Sequence, residues 1–141
     1  MAESPTSTGF SRRAKPLSPH LQIYGWPITM AMSILHRITG GALYFGTIIM
    51  AWWLLAAAEG PQSYATAQYW LGSPIGLLVL FGYTWALMHH MLGGIRHLIW
   101  DTGAGFGPVQ REWLSRANII GSVVLTLLLW IVGYFLIGGT N

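Results

Sequence analysis

Three stretches of this chain are apolar on all sides rather than along one stripe: roughly Ile28 to Ala58, Leu71 to Trp100, and Ile119 to Ile137. Each is long enough to cross a bilayer, which takes about 20 mostly apolar residues. A helix closes its own backbone hydrogen bonds where no water is present, and three strands are too few to close a barrel. The pattern therefore predicts an all-α integral membrane bundle of three transmembrane helices (spans about 28–58, 71–100 and 119–137) within residues 28–141, preceded by a polar arm over residues 1–27. A soluble bundle is the rival. It would need a polar outer face on each helix, and these stretches carry none.

Composition agrees. Of 141 residues, 53% are hydrophobic and 8% charged, against roughly one quarter charged in soluble domains. There is no cysteine, which excludes disulfides and thiolate metal sites and leaves histidine as the metal ligand. Basic residues outside the spans are Arg12, Arg13 and Lys15 in the arm and Arg111 and Arg116 in the second loop, with none in the first loop or the C-terminal tail. Such asymmetry places the N-terminus and second loop on the cytoplasmic side. It also accounts for the net charge of +3 without a nucleic-acid partner. Trp26 and Trp100 fall at the cytoplasmic boundary and Tyr69 and Trp70 at the opposite one, where aromatic residues concentrate. The arm lacks the apolar core and small-residue cleavage site of a signal peptide, and its Glu3 is unlike an acid-poor transit peptide. It reads as a retained arm of a bacterial inner-membrane protein. Gly103, Gly105 and Gly107 precede Pro108; a phosphate loop needs a strand before it, so this segment is expected to be a helix-ending turn. The first loop, from Glu59-Gly60-Pro61, is expected to be a short connection.

Chemistry enters with the ionisable side chains. His36, Arg37, His89, His90, Arg96 and His97 all lie on apolar stretches, and such groups inside hydrocarbon are costly enough to mark function. On a helix, His90, Gly93, Gly94 and His97 share one stripe, with Asp101 a turn further on. His89 points about a quarter-turn away. A histidine flanked by glycines suits a flat macrocycle, and neutral imidazole is a haem-iron ligand. Equally, a buried histidine makes interhelical hydrogen bonds, and glycines let helices pack closely. His97 lies about 10 Å beyond His90 at 1.5 Å per residue, too far for the same iron but within reach of a propionate edge.

On the first span, Ser33, His36 and Arg37 form one polar patch, continued by Gly40 and Tyr44. Arg37 keeps its charge and needs an anion, unless it snorkels to the interface. Haem propionates would satisfy it, as would a quinone gaining negative charge, whose carbonyl oxygen accepts a hydrogen bond from Ser33. His36 lies nine residues from Pro27 and His90 ten from Trp100, so the two share a depth. Spacing alone leaves open that both ligate one haem within this chain. Three helices would leave that haem poorly enclosed, which a partner subunit would remedy.

Three motifs carry a resemblance: Lys15-Pro-Leu-Ser-Pro-His20-Leu-Gln-Ile-Tyr24; Ser33-Ile-Leu-His36-Arg37-Ile-Thr-Gly40; and His90 with Gly94-Ile-Arg96-His97 and Asp101. Together they resemble the large cytochrome b556 anchor subunits of succinate dehydrogenase, over nearly the whole chain. The resemblance implies a haem b shared with a second membrane anchor subunit, ubiquinone as substrate, and attachment of an iron-sulfur subunit and a flavoprotein subunit. It implies His90 as axial haem ligand, with the other axial histidine supplied by the partner anchor. It implies His36, Arg37 and His97 beside the propionates, and Ser33, Arg37 and Trp26 at the quinone site. Lys15 stands where many relatives have arginine. The alternatives are a haem-free structural anchor and the anchor of a quinol:fumarate reductase. A transporter or proton channel would need ionisable residues in the outer halves of the spans, which lack them.

Overall fold

The structure, a computed structural model, describes Ser18, His20 and residues 25–138. The first motif, Lys15 to Tyr24, therefore lies almost wholly outside the described residues. Among those described there are four helices and no strand: α1 (Ile28–Glu59), α2 (Pro61–Leu71), α3 (Pro74–Asp101) and α4 (Pro108–Gly138). Three of them, α1, α3 and α4, are long and apolar enough to span a membrane. The expected first loop is mostly the helix α2, and α4 starts eleven residues before the expected third span.

Proline marks every helix start. Pro27 is the N-cap of α1, and Pro61, Pro74 and Pro108 open α2, α3 and α4. At the first helical position proline loses nothing, since that N–H has no intrahelical partner, and its fixed φ already suits the helix. Ser73 adds a side-chain cap, accepting from the Gly76 N–H at 3.1 Å. At α4 the Gly107 N–H donates to the Gln110 side chain at 3.3 Å, as in the reciprocal half of a capping box. The break between α1 and α2 is Gly60, at φ 124°. Past α3, Gly103 at φ 82° donates its N–H to the Trp100 carbonyl at 2.8 Å, which is the expected helix-ending turn.

α3 is the central helix, packing against α1 on one side and α4 on the other. On the α1 side, the Tyr83 ring occupies the place a side chain at Gly46 would take. On the α4 side, Phe81 meets Trp130 edge-on with ring centroids 5.3 Å apart, and the Trp130 indole donates to Thr84 Oγ1 at 3.3 Å. The interior is polar. Buried hydrophobic residues are Met32 and the three alanines Ala56, Ala67 and Ala86, whereas Thr39, His89, Arg96, Ser115, Asn118, Ser122 and Thr126 are all buried. Large apolar side chains point outward along all three long helices. Lipid solvates leucine as well as a protein core does, so packing of small residues and interhelical hydrogen bonds hold the helices together. α1 has 32 residues, about 48 Å at 1.5 Å per residue, against a hydrocarbon thickness of about 30 Å. It therefore tilts or extends beyond the core.

Candidate functional site

The α1–α3 contact is built on imidazoles. His36 and His90 stack face to face, with centroids 4.0 Å apart and planes within 4°. The His97 ring is tilted and 5.4 Å from that of His36. Two glycines make this possible. A Cβ on Gly93 would fall into the His36 ring, and a Cβ on Gly40 would lie 3.0 Å from Cε1 of His90. Gly94, by contrast, has nothing within 4 Å. The glycines thus divide: Gly93 serves helix packing, and only Gly94 leaves an open face.

His90 Nδ1 lies 3.2 Å from the backbone carbonyl of His36. A carbonyl can only accept, so Nδ1 carries the proton and Nε2 keeps its lone pair. Metal-bound histidines have this arrangement, one nitrogen donating to an acceptor that orients the ring and raises its basicity. His90 is half-buried and His97 exposed. The stacking also answers what spacing left open. An imidazole lone pair lies in the ring plane, so two parallel rings stacked face to face cannot approach one iron from opposite sides. His36 and His90 therefore do not share a haem in this arrangement. Among the described residues no three His, Asp or Glu side chains cluster as a bare metal ion would require. One free imidazole nitrogen on a half-open face suits a metal whose other ligands come from a macrocycle and a second chain.

Ser33 and Arg37 are both exposed on α1, four residues apart and so on one face. Trp26, just before the helix, is 71% exposed. The structure brings His36, His90 and His97 together and leaves Ser33, Arg37 and Trp26 facing outward from the bundle. Asp101, the expected continuation of the stripe, is exposed at the end of α3.

A second polar cluster, between α3 and α4, has no counterpart among the sequence expectations. His89 is fully buried. Its Nδ1 is 3.4 Å from Ser122 Oγ, and Asn118 Nδ2 lies 3.3 Å from both ring nitrogens. Ser122 donates its own proton to the Ile119 carbonyl, so it accepts from His89 while Asn118 donates to the other nitrogen. Both nitrogens of His89 are thereby used. Further along the same contact, Arg96 is 4% exposed, donates to Ser115 Oγ at 3.4 Å and sits 5.0 Å from the Trp100 ring centre. The sequence signal was the row Ser115, Asn118, Ser122 and Thr126 on α4, spaced three, four and four. That row faces His89 and Arg96, themselves seven apart on α3.

Comparison with known proteins agrees with this architecture. The family described as succinate dehydrogenase/fumarate reductase transmembrane subunit matches residues 11–137. A succinate dehydrogenase cytochrome b556 subunit of Paracoccus denitrificans is 45% identical over 122 residues, covering 86% of this chain and 94% of that protein. The cytochrome b556 subunit of Rickettsia felis is 38% identical over 83% of this chain and 91% of its own length. The mitochondrial cytochrome b560 subunit of Mus musculus is 37% identical over 79% of this chain and 67% of that protein. The chain belongs to the succinate dehydrogenase/fumarate reductase transmembrane subunit family.

Proposed function

We propose that this chain is the haem b-binding membrane anchor of a succinate:ubiquinone oxidoreductase, contributing to its quinone-reduction site. The observation that carries the reading is His90: one ring nitrogen is tied to a carbonyl, and the other is left with its lone pair on a half-open face. The names of the related proteins, cytochrome b556 and b560 subunits of succinate dehydrogenase, support both haem b and the direction of succinate oxidation over fumarate reduction.

In this reading His90 would hold the haem iron through Nε2, with a histidine of a second membrane anchor subunit completing the site. His36, His97 and Arg37 would hold the haem propionates. When bound, the haem supplies a one-electron carrier. Arg37 and Ser33 face the quinone, which enters beside Trp26. Ser33 donates a hydrogen bond to a quinone carbonyl oxygen, and Arg37 holds a fixed positive charge where negative charge builds during reduction. Electrons come from the iron-sulfur subunit, which the flavoprotein subunit feeds. The chain lies in a bacterial inner membrane with its N-terminus and the Arg111–Arg116 loop cytoplasmic, as the basic residues favour. The 45% identity to the Paracoccus denitrificans subunit, against 37% to the mouse subunit, supports that membrane.

The test compares two assays of one purified complex. Arg37→Ala is expected to lower succinate–quinone reductase activity at least tenfold, about the 1.4 kcal/mol that one transition-state contact readily supplies, while dye-linked succinate oxidation persists. Equal loss of both activities would reject the quinone role.

A further inference from the structure

We infer that Thr39 sets the strength with which His90 holds its iron-facing lone pair, acting through the backbone carbonyl of His36. The inference rests on His90 as haem ligand and adds a residue that reaches His90 through the His36 carbonyl.

The His36 carbonyl is shared by several donors. As a residue inside α1 it accepts the helical N–H four residues on. His90 Nδ1 donates to it at 3.2 Å. The hydroxyl of Thr39, a residue 2% exposed, also lies 3.0 Å from it and 2.9 Å from the Leu35 carbonyl, so its single proton is shared between the two. An oxygen has two lone pairs, and donors crowded on one acceptor weaken one another. Thr39 thereby limits how strongly the carbonyl pulls on the Nδ1 proton. That pull matters at the opposite side of the ring, since a stronger acceptor behind a ligating histidine makes its other nitrogen more electron-rich. A more electron-rich ligand favours oxidised iron, and hydrogen bonding around the axial ligand is one lever on haem potential. Gly40 and the parallel His36 ring hold the imidazole in place, so a change at Thr39 is transmitted rather than absorbed by ring rotation.

Thr39→Val keeps the shape and removes the hydroxyl; Thr39→Ser keeps the hydroxyl. Potentiometry of haem absorbance in the intact complex is the test. At the wild-type midpoint, Thr39→Val is expected to lower the ratio of reduced to oxidised haem about threefold, the effect of redistributing part of one hydrogen bond. Thr39→Ser is expected to keep the wild-type ratio. An unchanged or raised ratio in a haem-replete Thr39→Val complex overturns the inference and leaves the haem reading intact. Wild-type complex that purifies without haem overturns both, and its absorption spectrum shows this before any variant is compared. Should Thr39→Val not assemble, Thr39→Ala, which also removes the hydroxyl, is read by the same potentiometry: an unchanged or raised ratio in its haem-replete complex overturns the inference.

Discussion

His89 and His90 are neighbours in sequence and opposites in environment. His89 faces α4, is wholly enclosed, and has both ring nitrogens engaged by Ser122 and Asn118. His90 faces α1, is half-buried, and has one nitrogen engaged by the His36 carbonyl. A 100° step on a helix separates the two. What differs is unspent hydrogen-bonding capacity: His89 has none left for a ligand, whereas His90 keeps a lone pair in a fixed direction. An intramembrane histidine is therefore not a ligand because it is buried or charged in character. It qualifies when its neighbours satisfy one nitrogen and spare the other.

Exchanging each histidine separately is the strongest way to break the comparison. His90→Ala is expected to abolish the haem absorption band of the purified complex, and a wild-type spectrum would remove His90 as ligand. His89→Ala should keep the band but lower the thermal stability of the complex in detergent. It strands the Asn118 amide in the interior, at a cost of about 1–3 kcal/mol. Loss of haem in a stably assembled His89→Ala complex would mean that the two faces are coupled.

The glycines sharpen the same contrast. Gly93→Ala places a methyl group inside the His36 ring, so α1 and α3 must separate; overpacking of this kind costs about 1–3 kcal/mol. Gly40→Ala asks only for a shift of a few tenths of an ångström in His90 and should disturb the haem spectrum more than stability. Gly94→Ala meets nothing in this chain. Its isolated-subunit stability should be unchanged, and any effect on haem content or subunit assembly, read by spectrum and gel filtration, would place a partner or cofactor against that face. Smallest of all, Arg116→Ala removes an exposed ion pair with Glu112, and no measurable change in melting temperature is expected.

Much of the fold was legible because the membrane as solvent imposes a simple rule. Spans must be apolar and helical, so three of them could be read from composition. The helix α2 was less visible: Pro61-Gln-Ser-Tyr mixes polar and apolar residues, and only the proline at its first position marks it. The start of α4 was missed for a related reason. Gln110, Arg111, Glu112 and Arg116 belong to the same helix as the apolar run but make its first turns polar. Apolarity locates the buried part of a helix, whereas backbone hydrogen bonding continues into the interface. At the site, His36 and His90 were matched in depth from their distances to Pro27 and Trp100, and the stacked pair has that match. The role of Gly93 could not be separated from that of Gly94, because spacing gives the angle between residues and not which neighbour fills the space.

The sequence by itself determined the solvent, the helical class, the number of spans and the set of ionisable residues carried on apolar stretches, since each follows from transfer costs counted along a single chain. Only the tertiary structure decided which face of α3 meets α1 and which meets α4. Helical periodicity is silent on absolute rotation; that is fixed by contacts between helices, here Tyr83 on Gly46, His36 over Gly93, and Arg96 against Ser115. Those contacts give His89 two partners and His90 one.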